Sequence, residues 1–183
     1  MIEHFTEALV INKRNSGETD NLITLYTADL GKVMAKAKGA KRIVSKLSAH
    51  LEPLNFISVR LIEGRGFQIA DALTVDSQSI LRRAPADLSK SLKFIQFIDD
   101  MTVELQPDRN FWLAIKKAMS NRLDDEKSFY RHLLKILGFD SEFAVCFSCH
   151  KKPVEYFFKE DQTFFCGQCI RKIPEDELIL ING

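Results

Sequence analysis

Residues 31–46 read GKVMAKAKGAKRIVSK, and how this stretch is read decides the fold of the N-terminal third. Its first half alternates. Lys32, Met34, Lys36 and Lys38 fall on one side of an extended chain, with Val33, Ala35 and Ala37 on the other. That is the period-two pattern of a half-buried strand. Gly39 breaks the strand, Ala40, Lys41 and Arg42 follow as a basic turn, and Lys46 closes a stretch without any Asp or Glu. A strand whose outer face is cationic suits a polyanion. Lysines on a solvated edge strand also block edge-to-edge pairing, and this stretch alone leaves both readings open.

Working outward, residues 8–11 (ALVI) form a short apolar run, followed by Asn12, Lys13, Arg14 and a turn-rich segment at 15–18. Residues 21–27 (NLITLYT) are rich in β-branched and aromatic side chains, and 29–31 (DLG) supply a turn. Residues 55–62 alternate again, with Ile57, Val59 and Leu61 opposed to Ser58 and Arg60. Gly64-Arg65-Gly66 makes a tight loop, and 67–73 form a last strand. Five short strands with one longer irregular connection, 39–53, fit a small Greek-key barrel of the OB type. An SH3-like barrel reads almost the same, and periodicity does not separate the two. Arg60 and Arg65 add to Lys32, Lys36, Lys38, Lys41, Arg42 and Lys46 as candidate phosphate contacts, against only Glu52 and Glu63 in the same region. The whole chain carries a formal charge of only +1, so this basic face is local; the acidic clusters come later, at 99–100, 124–126 and 175–177.

After Asp76 the apolar period changes to that of helices. Pro85 and Asp87 mark a start, with Leu88, Leu92, Ile95 and Ile98 on one face, widened by Phe94, Phe97 and Met101. Pro107 and Asp108 start a second helix with Phe111, Trp112, Ile115 and Met119 inward. Asp125 caps a third, in which Phe129, Leu133, Ile136 and Leu137 line one side until Gly138 ends it. The expectation is an α+β chain: an OB-fold domain over 1–76 and a helical domain over 77–183, its three helices bundled on themselves or on the barrel.

The segment CFSCHKKPVEYFFKEDQTFFCGQC places all four cysteines of the chain in two Cys-x2-Cys pairs, Cys146 with Cys149 and Cys166 with Cys169. Each pair lets two thiolates approach one ion, and two pairs complete a tetrahedral shell. Residues 154–158 and 163–165 read as a hairpin around 159–162 that brings the second pair beside the first. The spacing falls in the range of structural zinc, and a redox Cys-x2-Cys would come once, in a βαβ context. One structural zinc in a module at 144–172 is expected. Four protein ligands would leave no position for a catalytic water. His150 is a substitute ligand by position only. Residues 174–183 read as a final turn or short helix.

No apolar run is long enough for a membrane helix, and the acidic N-terminus lacks a signal-peptide pattern, so a cytoplasmic protein without membrane contact is expected. No phosphate-binding Gly-rich loop or Gly-x-Ser-x-Gly elbow occurs, and His4, His50, His132 and His150 are scattered, so no enzyme is expected.

The segments Gly17-Glu18-Thr19-Asp20, Leu25-Tyr26-Thr27, Gly31-Lys32, Ala37-Lys38-Gly39-Ala40-Lys41-Arg42, Ser45-Lys46-Leu47, Leu51-Glu52-Pro53 and Gly64-Arg65-Gly66 follow one another in an order that resembles the bacterial RecO family of recombination mediators. The likeness is close over residues 7–75, and the helices and cysteine hairpin agree with its zinc-bearing members. It implies a non-enzymatic, nucleoid-associated protein that binds single- and double-stranded DNA and anneals complementary strands. Such proteins act with RecR and the C-terminal tail of single-strand-binding protein, helping RecA load in recombinational repair. The family's basic motif carries DNA contact over to Lys38, Lys41 and Arg42. Members usually continue for several helices beyond the zinc module, whereas this chain ends soon after Cys169, a departure that bears on the pocket for that tail. Two other readings stay open: a protein–protein adaptor built on the zinc module, and an RNA-binding OB and zinc-ribbon protein. Tyr26, Phe56 and Phe67 are the aromatic candidates for base stacking in the last four strands, each equally a core residue. Phosphate-dominated binding is therefore the expectation.

Overall fold

The alternation of the first third closes into a barrel in the computed structural model, which describes residues 2–40, 47–121, 123–174 and 177–182. Its strands are β1 (Ile2–Ser16), β2 (Asp20–Thr27), β3 (Gly31–Ala37), β4 (Phe56–Glu63) and β5 (Phe67–Asp76). They pair in the order β1-β2-β3-β5-β4, and β4 returns to β1. The closing contact between β3 and β5 is parallel and short, Ala35 with Phe67 and Lys36 with Gln68. This order is that of an OB barrel, so the topology separates what periodicity left open.

β1 is longer than its apolar run. Its first half pairs with β4 from Ile2 opposite Glu63 to Leu9 opposite Phe56, and its second half pairs with β2 from Ala8 to Ser16. The register slips at Ile11, between Val10 and Asn12. A bulge there bends the strand so that one element can serve two neighbours and close the barrel. Inside, Ala8, Val10, Ile23, Leu25, Val33, Ala35, Ala37, Ile57, Val59, Leu61, Ile69 and Ala72 form one buried cluster, joined by Ala40 and Leu51 from the long connection.

Helices follow the barrel: α1 (Pro85–Met101), α2 (Arg109–Ser120) and α3 (Glu126–Ile136). The Asp125 carboxylate accepts the Ser128 N–H at 3.2 Å, so the expected cap forms, and the Asp108 carboxylate, at the expected start of α2, accepts the Phe111 N–H at 2.9 Å. Two details depart from the periodicity. On α1 the buried face runs through Ser91, Phe94, Ile95, Phe97, Ile98 and Met101, leaving Leu92 exposed. On α3 it runs through Tyr130, Leu133 and Leu134, with Phe129 and Ile136 only half-buried. Each stripe is rotated because a helix turns its face to whatever packs on it, and its own spacing does not name that partner.

The compact units are Met1–Trp112 and Leu113–Gly183. The change from strand to helix falls after Asp76, and α1 with the first turn of α2 lies in the same unit as the barrel. The second unit also holds a sheet in the order β7-β6-β8, from β6 (Tyr156–Phe158), β7 (Thr163–Phe165) and β8 (Leu178–Leu180). The β6–β7 hairpin is the one expected. β8 corrects the reading of the tail as a turn or helix: Leu178, Ile179 and Leu180 pair with Phe158, Phe157 and Tyr156. A three-residue apolar run has no period to reveal a strand. An unpaired edge on β6 makes it one.

Candidate nucleic-acid interface and metal centre

On β3 the expected alternation holds. Val33, Ala35 and Ala37 are buried, and Met34 and Lys36 are exposed, as is Lys38 just beyond the strand. The residues that flank Lys38 explain its exposure. Ala37 and Ala40 are both buried, and Gly39 between them takes φ +64°, a left-handed conformation that only glycine adopts without strain. The chain therefore dips into the barrel on either side of Lys38 and presents the lysine outward.

Asp20, the first residue of β2, organises the same end of the barrel. One carboxylate oxygen accepts the Gly39 N–H at 2.9 Å and the Thr19 hydroxyl at 3.0 Å; the other lies 3.0 Å from Lys36 Nζ. The Gly39 N–H, then Lys36, hold its carboxyl down at about 2. Cross-strand register adds a residue that the sequence reading passed over. Arg14 on β1 stands opposite Leu22 on β2, which stands opposite Lys36 on β3. Directly opposed residues share a face, so Arg14 and Lys36 flank Leu22 on the outside of the sheet. Arg14 was hidden because the bulge at Ile11 resets the alternation that would have placed it. On β5, Phe67 pairs with Ala35 in parallel, so the Gly64–Gly66 hairpin before it, with exposed Arg65, adjoins β3 on the Met34 side of Ala35. Among the described residues, Arg14, Lys38 and Arg65 make no ion pair.

The other expected contacts divide. Lys32 sits at the far end of β3 and donates to the Asp99 carbonyl at 2.6 Å and its carboxylate at 3.1 Å, tying the barrel to the end of α1. Gly31 before it takes φ +69° and lies so close under the Gln106 carbonyl that a Cβ would collide, and the Leu105 N–H bonds to the Lys32 carbonyl. Arg60 stands between Phe5 on β1 and Asp71 on β5 and reaches Glu3 at 3.4 Å, so its surroundings carry carboxylates. Lys41, Arg42 and Lys46 lie outside the described residues.

The aromatic candidates are taken up by packing. Leu9, Tyr26 and Phe56 occupy neighbouring positions on the outside of β1, β2 and β4, where Phe111 and Trp112 cover them. The Tyr26 ring lies 5.4 Å from Phe111, and Phe56 lies 5.8 Å from Trp112. Burial pushes the Tyr26 hydroxyl up to about 12. Phe67 is half-buried against the barrel core. Tyr26 and Phe56 therefore offer no free face for stacking.

In the second unit the sulfurs of Cys146, Cys149, Cys166 and Cys169 all lie within 4.8 Å of one another. Cys149 and Cys166 are 3.7 Å apart. Four sulfurs at about 2.3 Å around a tetrahedral ion would be separated by about 3.8 Å, so the four thiols fit zinc. The backbone builds both knuckles. The His150 N–H donates to the Cys146 carbonyl at 2.8 Å, and the Cys169 N–H to the Cys166 carbonyl at 3.0 Å. In the second knuckle the Glu155 carboxylate accepts the Gly167 N–H at 3.3 Å. Burial opposes ionisation of Cys146, but the N–H groups of Cys166, Cys149 and Ser148 outweigh it and bring the thiol down to about 6. Hydrogen bonding with the sulfurs of Cys166 and Cys149 pushes Cys169 up to about 12. Four crowded sulfurs cannot all be thiolates without a cation among them. His150 is exposed and stands outside the cluster.

Residues 1–77 match the family model described as Recombination protein O N terminal. The chain is also similar to curated proteins named DNA repair protein RecO. It is 27% identical to that of Dehalococcoides mccartyi strain 195 over 177 residues, covering 90% of this chain and 69% of the relative. Against the protein of Bifidobacterium animalis subsp. lactis it is 29% identical over 161 residues, covering 82% and 67%. Against that of Alkaliphilus metalliredigens it is 24% identical over 176 residues, covering 90% and 71%. No helix among the described residues is long and apolar enough to cross a membrane.

Proposed function

We propose that this member of the RecO family of DNA repair proteins binds single- and double-stranded DNA through the hairpin end of its barrel and uses that binding to anneal complementary strands. The observation that carries the reading is the outward placing of Arg14, Lys36 and Lys38 at the Gly39 end of the barrel, whose aromatic side chains Tyr26 and Phe56 are buried. Cations hold phosphates without reading bases. Annealing needs this, since two strands of any sequence must approach with their mutual repulsion screened. Lys41, Arg42 and Lys46, outside the described residues, join this set through the family's basic motif and their charge alone. Lys32 is left out because it is mostly buried on Asp99, and Arg60 because Glu3 and Asp71 flank it; Lys36 stays in, exposed beside the turn although Asp20 pairs with it.

The protein performs no bond chemistry of its own in this reading. It works at the bacterial nucleoid, with RecR and the C-terminal tail of single-strand-binding protein as partners, and helps RecA onto coated DNA. The likeness to RecO supports these roles. Cys146, Cys149, Cys166 and Cys169 hold one zinc ion, whose role is structural: it would replace mutual repulsion of thiolates with four bonds and so fix the two knuckles.

Titrating a single-stranded oligonucleotide at several salt concentrations tests the DNA reading. Binding should weaken linearly on a log–log plot, and Lys38→Ala or Arg14→Ala should each reduce the slope by about 0.7–1, the share of one phosphate. A flat plot would sink it. A second reading, the adaptor, is favoured by Phe143, Val145 and Phe147, which are exposed around the first cysteine knuckle. It gains if both variants leave DNA binding unchanged while RecR still binds.

A further inference from the structure

We propose that Asp20 is a positioning residue for DNA, holding the Lys38–Ala40 turn so that Lys38 meets the phosphate backbone; this rests on the DNA-binding reading above. A carboxylate is out of place in a phosphate-binding surface, since it repels the ligand and competes for Lys36. Its bonds account for its presence. The turn is anchored at both ends by the buried Ala37 and Ala40, but its middle is held from across the hairpin by the Gly39 N–H bond to Asp20. That N–H is the group on which the left-handed Gly39 pivots. Without a partner it would turn to water, and Lys38 would lose its fixed direction. Lys36, held 3.0 Å away by the second oxygen, is kept beside the turn and close to Arg14 across Leu22.

Charge counting and positioning therefore predict opposite signs. If only net charge matters, removing Asp20 tightens DNA binding. If Asp20 acts through the turn, Asp20→Ala weakens binding although it makes the surface more positive. Asp20→Asn keeps an oxygen for the Gly39 N–H while losing the charge, so it should restore binding.

The experiment compares the full chain and its Lys38→Ala, Asp20→Ala and Asp20→Asn variants. Fluorescence anisotropy follows a labelled single-stranded oligonucleotide at one salt concentration, and thermal melts check each fold. Asp20→Ala should bind about two- to threefold more weakly, as Lys38→Ala does, the loss expected of one phosphate contact. Asp20→Asn should bind at least as tightly as the unmodified protein. Asp20→Ala binding as tightly as the unmodified protein, or tighter, overturns the proposal. So does Asp20→Asn falling to the level of Lys38→Ala, and that arm decides the matter if Asp20→Ala does not fold. The two ideas fail differently. An unmodified protein that does not bind, or a Lys38→Ala variant that binds unchanged, overturns the DNA reading and this inference with it. A weakened Lys38→Ala beside an unweakened Asp20→Ala overturns the inference alone.

Discussion

The barrel closes over a continuous cluster of fully buried aliphatic side chains, whereas the sheet of the second unit has three strands of three residues each and gathers its chain at four sulfurs. Area explains the contrast. The barrel gathers its apolar side chains into one buried cluster, which the hydrophobic effect holds together. So short a sheet, even with Phe157 buried between Phe139 and Phe164, needs a ligand to offset the entropy of ordering two cysteine loops. The side chains divide in the same way: exposed cations gather on the barrel and the four cysteines in the second unit.

Removing the metal should separate the regions most sharply. The purified protein is expected to contain one zinc ion per chain and Cys146→Ser none. A structural zinc contributes on the order of 10 kcal/mol in small metal-dependent folds, so β6, β7 and β8 should lose hydrogen-exchange protection. Protection of β1–β5 and affinity for DNA should not change. Loss of protection in the barrel as well, or four freely titrating thiols in protein never exposed to chelator, would break the comparison.

Within the barrel, two lysines of one strand should respond in opposite ways. Lys32→Ala removes a largely buried charge-assisted bond to Asp99 and should cost about 1–2 kcal/mol in unfolding free energy with the salt slope of DNA binding intact. Lys38→Ala should lower the slope and leave stability nearly unchanged. A salt slope reduced by Lys32→Ala would return that residue to the contact set.

The smallest expected effect is a pH dependence. Asp20 is held at about 2 in the folded chain against an ordinary 3.8, so between those values the unfolded state binds the extra proton. Its contribution is complete above pH 4 and is lost as the pH falls towards 2. Acid unfolding in that window should be slightly steeper for the unmodified protein than for Asp20→Asn. Identical acid limbs would show that the carboxylate is not held in the folded state.

Much of this was legible in the residues. Val33, Ala35 and Ala37 alternate with Lys36, and Asp108 and Asp125 cap helices, because these patterns depend on neighbours in the chain. The paired spacing of the cysteines announced a metal site for the same reason: a knuckle is a local structure. What escaped was set from a distance. Arg14 faces outward because of a bulge three residues earlier, Leu92 is exposed because of what packs on the opposite face of α1, and Leu178–Leu180 is a strand because β6 has an open edge.

The sequence by itself determined the strands of the barrel, the alternation that puts lysines on its surface, and the four-sulfur cluster, since side-chain period and local spacing decide each of them. Only the tertiary structure decided which barrel the strands make and which cations remain available to a ligand. A lysine's charge belongs to its residue, but its availability depends on whether a distant carboxylate has reached it first: Asp99 has reached Lys32, while Asp20 holds the turn from which Lys38 points outward.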